Sequence, residues 1–407
     1  MKSKILKFAC YGSSFTMAVV ANLPPLLFLI FRDAFGISYS LLGLLVLINF
    51  STQLTVDLIF SAFSRRLNIP ALVRSMPVLA SVGLLIFAAV PILFPSAAYI
   101  GLLIGTVIFS AGAGLSEVLI SPIIASIPAD NPEREMSKLH SVYAWGVVFV
   151  IIVSTVALKL FGAGVWHVIT LAFVVLPLTS GVLFFMTDIP DLSAEQTEER
   201  KPLPIREKKL WLCVFAIFLG GAVECNMAQW ASSYLEASLG IEKSLGDIFG
   251  VAGFALMLGI GRSLYAKRGV NIEKILFYSA IGATVCYFVA ALTTVSVIGL
   301  VACAMTGLFS AMLWPGTLIV VAKYFKEGGV FIYALMAAGG DLGASVAPQL
   351  TGIIADYVST LDFAVIIGER LGVDAEAVGI RCGIFVGALF ALTAIFVYRR
   401  IYKRSRN

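Results

Sequence analysis

The chain has 407 residues, of which 59% are hydrophobic and 13% are charged, against roughly 25% charged in soluble domains. Most of its length offers no polar face to water, which excludes a water-soluble core. The formal net charge of +5 is carried largely by loops, so no nucleic-acid partner is expected.

Long apolar runs recur along the whole chain, and each approaches or exceeds the ~20 residues that a helix needs to cross a bilayer. We predict an all-α membrane protein with twelve transmembrane helices, named spans one to twelve. The first should remain in the mature protein, because it is longer than a signal-peptide core. The spans cover residues 5–31, 38–63, 70–93, 97–128, 139–162, 165–187, 210–238, 244–266, 272–293, 295–322, 329–357 and 379–398.

The basic residues predict the orientation of the spans. Cytoplasmic loops are normally enriched in lysine and arginine. If both termini are cytoplasmic, only a few of the 29 basic residues fall on the other side: Arg32, Lys159, Lys243, Arg370 and Arg381. We therefore expect a multi-pass protein of the cell (plasma or inner) membrane with both termini in the cytoplasm.

One polar stretch divides the chain nearly in half. Residues 188–209 are rich in charge and proline, as expected of a cytoplasmic linker. They separate an N-terminal six-helix bundle, 1–187, from a C-terminal six-helix bundle, 210–407. A second long loop, 358–378, is predicted to hold a short interfacial helix.

Three carboxylates lie inside apolar runs, namely Glu117 in span four, Glu224 in span seven and Asp341 in span eleven. A charge at the bilayer centre costs at least about 2.5–3.5 kcal/mol, so such groups persist where they face a wet, protein-lined cavity. We predict that all three take part in proton coupling. Glu117 and Glu224 have no basic residue in their own spans and are expected to be unpaired. The alternative is a structural hydrogen bond to a neighbouring helix.

Span two carries Asn49, Gln53 and Asp57 in one line along a helix, because they are spaced four residues apart. Asn49 and Gln53 are expected either to bind solute or to join helices through hydrogen bonds. Asp57 lies nearer the cytoplasmic end. It is expected either to pair with a basic loop residue or to take part in gating.

Span seven is the most polar of the spans. Glu224 and Asn226 point nearly opposite ways on a regular helix, while Asn226 and Gln229 share a face. Either the helix is distorted after Gly220-Gly221, or one set makes interhelical contacts. Trp230 is expected to be a stacking platform for a sugar or a packed aromatic.

Three further aromatic residues are candidates for solute binding. Tyr143 and Trp145 open span five, and Trp314 lies in span ten. The alternative for the first two is an anchor at the membrane interface.

The six cysteines all fall within predicted spans and lack a CxxC spacing. Neither disulfides nor a metal site is expected, and no cofactor is expected. The chain also lacks a His/Asp/Ser constellation, so we expect no enzyme.

Four segments carry a family resemblance in addition to the span pattern. Twelve spans with a central loop resemble the major facilitator superfamily. Segments 112–122 (GAGLSEVLISP), 221–236, 259–269 and 339–356 resemble the fucose–proton symporter family and related sugar permeases. The resemblance implies alternating access between two six-helix bundles, and it places Glu117 at the family's acidic position in the fourth helix.

The same resemblance implies gating residues. Gly261 and Arg262 match the family's eighth-helix gating motif, and Arg65 is assigned to the inner gate. The loop after span two has Ser64 where the superfamily usually has aspartate, so Asp57 is expected to substitute. Span one lacks the aspartate of fucose permeases and offers Asn22 instead, which weakens fucose as the solute.

We therefore expect a secondary active transporter that imports a small polar solute, a sugar by the resemblance, together with protons. The alternative is a proton-driven exporter of drugs or metabolites on the same fold. A membrane sensor or scaffold is disfavoured, because the chain contains no soluble signalling domain. The expected partners are a small-molecule solute, the proton and the lipid bilayer, and the chain is expected to act as a monomer.

Overall fold

The computed structural model describes residues 2–63, 67–128, 132–190, 206–268, 271–325 and 329–404. In these ranges, ten helices are long and apolar enough to cross a membrane, and two bent helix pairs bring the number to twelve when each pair is one span. The predicted all-α fold with twelve transmembrane helices is confirmed.

The first half of the chain forms helices α1 to α8 within the described residues. α1 and α2 meet at an angle of 50°. Pro24 and Pro25 lie at this bend, where each removes a helical N–H and crowds the preceding turn. The helices are α1 Lys2–Leu26, α2 Phe28–Phe35, α3 Tyr39–Phe63, α4 Ile69–Leu93, α5 Ala98–Ser126, α6 Pro132–Phe161, α7 Trp166–Phe173 and α8 Val175–Phe185.

The second half forms helices α9 to α17. α9 continues into a π-helix, Tyr234–Ser238, and a second π-helix, Gly246–Val251, precedes α11. The helix expected in the loop 358–378 is present as α16, bent 91° from α15. The helices are α9 Lys208–Ser233, α10 Lys243–Leu245, α11 Ala252–Arg268, α12 Ile272–Leu292, α13 Ser296–Ser310, α14 Leu313–Tyr324, α15 Gly329–Ser359, α16 Asp362–Leu371 and α17 Ala375–Arg404.

Backbone packing divides the chain into two compact units. Unit 1 comprises Met1–Ile30 and Ile48–Arg200, and unit 2 comprises Phe31–Leu47 and Lys201–Asn407. The boundary therefore falls inside α3, whose first turns pack with the C-terminal helices. Most of the predicted linker, residues 191–205, lies outside the described residues.

An apolar core formed by α1, α4, α5, α6 and α8 holds unit 1 together. Its buried side chains are Leu6, Ala9, Cys10, Val73, Met76, Leu119, Ile120, Ile123, Ile124, Ile127, Leu139 and Phe184. In a bilayer, helices associate through close van der Waals packing rather than by escaping water. This shared apolar core therefore supplies much of the contact that orders the helices of unit 1.

Unit 2 depends on glycines where α9 and α15 touch. A Cβ added to Gly343 would lie 1.9 Å from the Phe218 carbonyl oxygen, and one added to Gly221 would lie 2.2 Å from the Gly340 carbonyl oxygen. Any larger residue at these positions would push the helices apart. The glycines of spans seven and eleven therefore set the distance between these two helices.

Candidate functional site

In unit 1, the polar residues predicted in span two meet small residues of span four. Ser110 donates a hydrogen bond to Asn49 Oδ1 at 2.6 Å, and Gln53 Nε2 donates to the same oxygen at 3.0 Å. A Cβ on Gly114 would lie 3.1 Å from the Gln53 Cα atom, so α3 and α5 are in direct contact. The structure thus brings together two polar stripes that the sequence placed on separate helices.

The same pairing of residues between α3 and α5 brings two acids close together. Asn49 and Ser110 are 61 residues apart, and Gln53 and Gly114 keep that spacing. One further helical turn sets Asp57 beside the residue after Glu117, and the two carboxyl groups interact electrostatically. The sequence pattern indicated different roles for these two acids, whereas the structure makes them neighbours.

Neither of these acids forms an ion pair within the described residues. Asp57 Oδ1 is buried and has no hydrogen-bond partner there, while the Glu117 side chain is exposed. The expected pairing of Asp57 with a basic loop residue is therefore not seen in this part of the chain. Arg65, the gating candidate of that loop, lies outside the described residues.

In unit 2, Glu224 pairs with Arg262. Arg262 Nη2 donates to both carboxylate oxygens of Glu224, at 3.0 and 3.3 Å, and its Nε donates to the Ala311 carbonyl at 3.1 Å. The expectation that Glu224 is unpaired is therefore wrong, because its cation comes from another span. Gly261 lies against Ala311, with an added Cβ only 2.6 Å from the alanine Cβ, and so brings Arg262 close to the end of α13.

Asp341 and Trp314 lie in the same part of unit 2. Asp341 is buried at 8% exposure, and both it and Glu224 interact electrostatically with the Cys225 thiol. Trp314 is half-buried, and its ring lies against Gly340, where an added Cβ would come within 2.5 Å. Half-buried Glu224 of α9 and buried Asp341 of α15 therefore both act on one cysteine in unit 2.

Two other residues of span seven, Asn226 and Trp230, make interhelical contacts. Asn226 is fully buried and accepts a hydrogen bond from Thr351 at 2.8 Å, and Gln229 is buried as well. Trp230 is also fully buried, and its indole N–H donates to the Pro348 carbonyl at 3.0 Å. α9 runs without a break through Gly220 and Gly221. The two alternatives for span seven were a distorted helix and interhelical contacts by one of its polar faces. The structure shows the second, on the face that carries Asn226.

The remaining candidates of the sequence are Asn22, Tyr143 and Trp145. Asn22 Nδ2 donates to the Ala18 carbonyl of its own helix at 2.9 Å. Tyr143 is half-buried, and Trp145 is 71% exposed.

Sequence reasoning missed a buried arginine. Arg381 is 7% exposed, and its guanidinium donates to the carbonyls of Thr293 and Ser238 at 2.5 and 2.7 Å. Thr293 follows the end of α12, and Ser238 ends the first π-helix, so one cation satisfies carbonyls at two helix ends. The only signal was a lone arginine inside the apolar run of span twelve.

Within the described residues, no three or more His, Cys, Asp or Glu side chains form a group that could hold a metal ion. The chemistry available to these sites is therefore hydrogen bonding, ion pairing and proton exchange by carboxyl groups.

Comparison with known proteins shows that one protein family matches most of the chain. The sequence model described as Major Facilitator Superfamily matches residues 9–348. No curated protein matches the chain.

Three similar solved structures share the fold at low sequence identity. A bacterial homolog to human lysosomal transporter Spinster, in an inward-facing and occupied conformation, aligns with a TM-score of 0.72 and 15% identity over 98% of this chain and 96% of that one. A D-xylose-proton symporter gives 0.70 and 15% over 96% of each chain. The E. coli fucose:proton symporter FucP gives 0.60 and 14% over 97% of this chain and 98% of that one.

Proposed function

Since this chain belongs to the Major Facilitator Superfamily, whose members are transporters, we propose that it carries a small polar solute by alternating access coupled to protons. A sugar is the first choice of solute. The observation that carries this proposal is the pair Asp57 and Glu117 in unit 1, because the two acids lie together without a cation in the described residues.

Exposure of Glu117 supports a role in proton exchange. Its side chain is exposed inside the span Pro95–Ser126, where it can meet only lipid or water. Placing a charged group in lipid costs at least about 2.5–3.5 kcal/mol. We therefore infer that the Glu117 side chain is in contact with water. Moving a carboxyl group between water and a closed, poorly solvated site changes how firmly it holds a proton. Such a change couples a conformational cycle to proton uptake and release.

Hydrogen-bonding groups near these acids support a polar solute. The amides of Asn49 and Gln53 border the acid pair in unit 1. Amides and carboxylates are the groups that bind hydroxyls. Two of the similar structures are described as sugar–proton symporters, which supports a sugar as the first class to test.

The second candidate is a proton-driven exporter of drugs or metabolites. The exposed indole of Trp145 is the kind of surface to which amphipathic compounds bind. The same acid pair would serve export if protons moved in the opposite direction to the solute.

One screen tests the proposal. Purified protein is scanned by thermal shift against sugars, nucleosides, carboxylates and drugs at two pH values, and hits are tested for uptake into proteoliposomes with an imposed proton gradient. We expect a saturable shift from one class and uptake that a protonophore abolishes. Uptake that ignores the proton gradient would refute proton coupling, and a shift from drugs alone would favour the exporter.

We also propose that both termini and the segment 188–209 face the cytoplasm. In a protein whose cysteines have been replaced, a membrane-impermeant thiol reagent applied outside should label a cysteine at Glu242 or Ala375. It should miss one at Gln196. External labelling of the last position would refute the orientation.

A further inference from the structure

Helices α12 and α17 are antiparallel neighbours in unit 2. The Phe277 ring of α12 stacks on the Tyr402 ring of α17, with 6.0 Å between ring centres. Further along the pair, Phe288 meets the Phe385 ring edge to face at 5.4 Å. Residue numbers therefore rise along one helix as they fall along the other. Since both helices belong to candidate membrane spans, the two ring pairs join two spans at two levels.

Each of these helices has one exposed apolar face. Residues three, four or seven apart share a face of a helix, and the exposed apolar side chains of both helices follow this spacing. They are Tyr278, Val285, Val289 and Leu292 on α12, and Phe385, Leu389 and Phe396 on α17. An apolar face that is exposed inside a membrane span is available to lipid acyl chains.

The ring pairs show that the two exposed faces adjoin. Phe385 is itself part of the exposed face of α17, and its partner Phe288 lies one turn after Val285 of the α12 face. The contact between these two rings therefore brings the face of α17 against the edge of the face of α12. Together the two faces form one apolar surface on unit 2.

One end of this surface is basic. Lys274 lies one turn before Tyr278 on α12, while Arg399 and Lys403 follow Phe396 on the same side of α17, and all three cations are exposed. The stacked pair of Phe277 and Tyr402 lies one turn from Lys274 and one turn from Arg399. It therefore brings the basic ends of the two helices close together.

No carboxylate pairs with Lys274, Arg399 or Lys403 within the described residues. The one acid of α12, Glu273, is buried and pairs instead with Lys323 of α14 at 3.0 Å. The one acid of α17, Glu376, lies in the first turn of that helix, at its opposite end. The positive charge of this end is therefore available to an external anion.

We propose that this surface of α12 and α17 binds an anionic phospholipid. The phosphate would lie against Lys274, Arg399 and Lys403, and the acyl chains would follow the exposed apolar faces. Lysine and arginine are the side chains that bind phosphate, and basic pockets between membrane helices bind anionic headgroups. Binding of lipid here does not depend on which solute the protein carries.

A phospholipid matches the surface better than a second copy of the chain. A two-fold interface places the same patch of both copies together, so the three cations of one copy would face those of the other. A phospholipid offers both chemistries that the surface presents, a negative headgroup and apolar chains. Free phosphate offers only the first of these.

Native mass spectrometry counts the phospholipids that remain on the purified protein. After its own lipids are removed, the protein is mixed with phosphatidylglycerol, which is anionic, or with phosphatidylcholine, which has no net charge. We expect the wild type to retain phosphatidylglycerol in clear excess. The triple variant Lys274→Gln, Arg399→Gln, Lys403→Gln should retain at least about tenfold less of it. Equal retention by this variant and the wild type would overturn the proposal.

A second triple variant removes the same charge from other places. Lys4→Gln, Lys208→Gln and Arg370→Gln change exposed cations outside α12 and α17, so this variant has the same net charge as the first. It should keep the preference for phosphatidylglycerol. If it loses as much as the first variant, the attraction comes from overall charge, and the proposed site is wrong.

The same spectra separate the lipid from a second copy. We expect phosphatidylglycerol on the monomer. A lipid-free dimer that the first triple variant dissociates would assign the surface to a second copy and overturn the proposal.

Photo-crosslinking locates the lipid in the wild-type protein, without any substitution. Phosphatidylglycerol with a photoreactive group on one acyl chain should label residues 278–292 and 385–396 in preference to other spans. Excess phosphatidylglycerol should suppress this labelling, and soluble glycerol phosphate should not. Equal labelling of all spans, or suppression by glycerol phosphate alone, would refute a phospholipid site at this surface.

Discussion

The two units hold their acids inside the spans in opposite ways. In unit 1, Asp57 and Glu117 are neighbours with no cation in the described residues, whereas in unit 2 Glu224 lies 3.0 Å from Arg262. Without a nearby cation, a carboxyl group inside a span is stabilised by binding a proton, which makes it neutral. A cation at hydrogen-bond distance instead stabilises the charged form. The difference leads us to expect proton exchange in unit 1 and a charge-balanced, structural pair in unit 2.

The largest expected effect comes from Glu117→Gln, which resembles a carboxyl group that cannot release its proton. The variant should still bind solute and exchange it across the membrane, but accumulation against a gradient should fall to the level of empty liposomes. Uptake with and without a proton gradient measures this, with Glu369→Gln on α16 as the control. If Glu117→Gln still accumulates solute, the coupling role passes to Glu224 or Asp341.

Arg262→Ala tests the paired acid of unit 2. It leaves Glu224 without its cation. Breaking a fully buried pair costs about 3–5 kcal/mol, and the partial exposure of this one reduces our expectation to about 2–3 kcal/mol. Transport should fall strongly while solute binding persists, and thermal unfolding gives the loss of stability.

The double variant Glu224→Gln with Arg262→Gln provides the control for that effect. It removes both charges, so it should recover most of the stability that Arg262→Ala loses. A double variant as unstable as the single one would mean that Arg262 acts mainly through the Ala311 carbonyl rather than through Glu224.

Gly343→Ala tests the close packing between α15 and α9, the helix that carries the paired acid. The added Cβ would meet the Phe218 carbonyl oxygen at 1.9 Å, and overpacking of this kind should cost about 1–2 kcal/mol. Gly259→Ala is the matched control in α11, because nothing lies within 4 Å of its added Cβ. Equal unfolding temperatures for the two variants would contradict the packing seen between α9 and α15.

The smallest effect is expected at Glu135, a paired acid of unit 1 outside the spans. Lys138 lies at 2.6 Å and Lys7 at 3.0 Å, and their hydrogen bonds lower the pKa of Glu135 from its ordinary 4.5 to about 2. A lowered pKa stabilises the fold above the unfolded value, and this contribution is lost as pH falls towards the folded value. Glu135→Gln should therefore lower the unfolding temperature slightly at pH 7.

The pH series of that variant supplies the check. The difference from wild type should stay constant down to about pH 5 and shrink as the pH falls from there towards 2. A difference that grows in acid would mean that Glu135 is stabilised in its protonated form, which would make it resemble the unpaired acids instead.

Local composition was enough to predict the twelve spans and to single out Glu117, Glu224 and Asp341. A helix must satisfy its own backbone in lipid and needs a set number of apolar residues to cross it, so span positions can be read residue by residue. The same reasoning placed a helix in the loop 358–378, which is present as α16.

The sequence could not predict which residues of different helices pair with each other. Arg262 lies 38 residues from Glu224, Arg32 lies 344 from Glu376, and Asp57 meets Glu117 through the register of α3 and α5. Sequence alone determined which segments enter the membrane and which carry charge, because insertion depends on each segment's own residues. Only the tertiary structure decided which charges are paired, because the rotation and neighbours of each helix are set by side-chain packing against other helices.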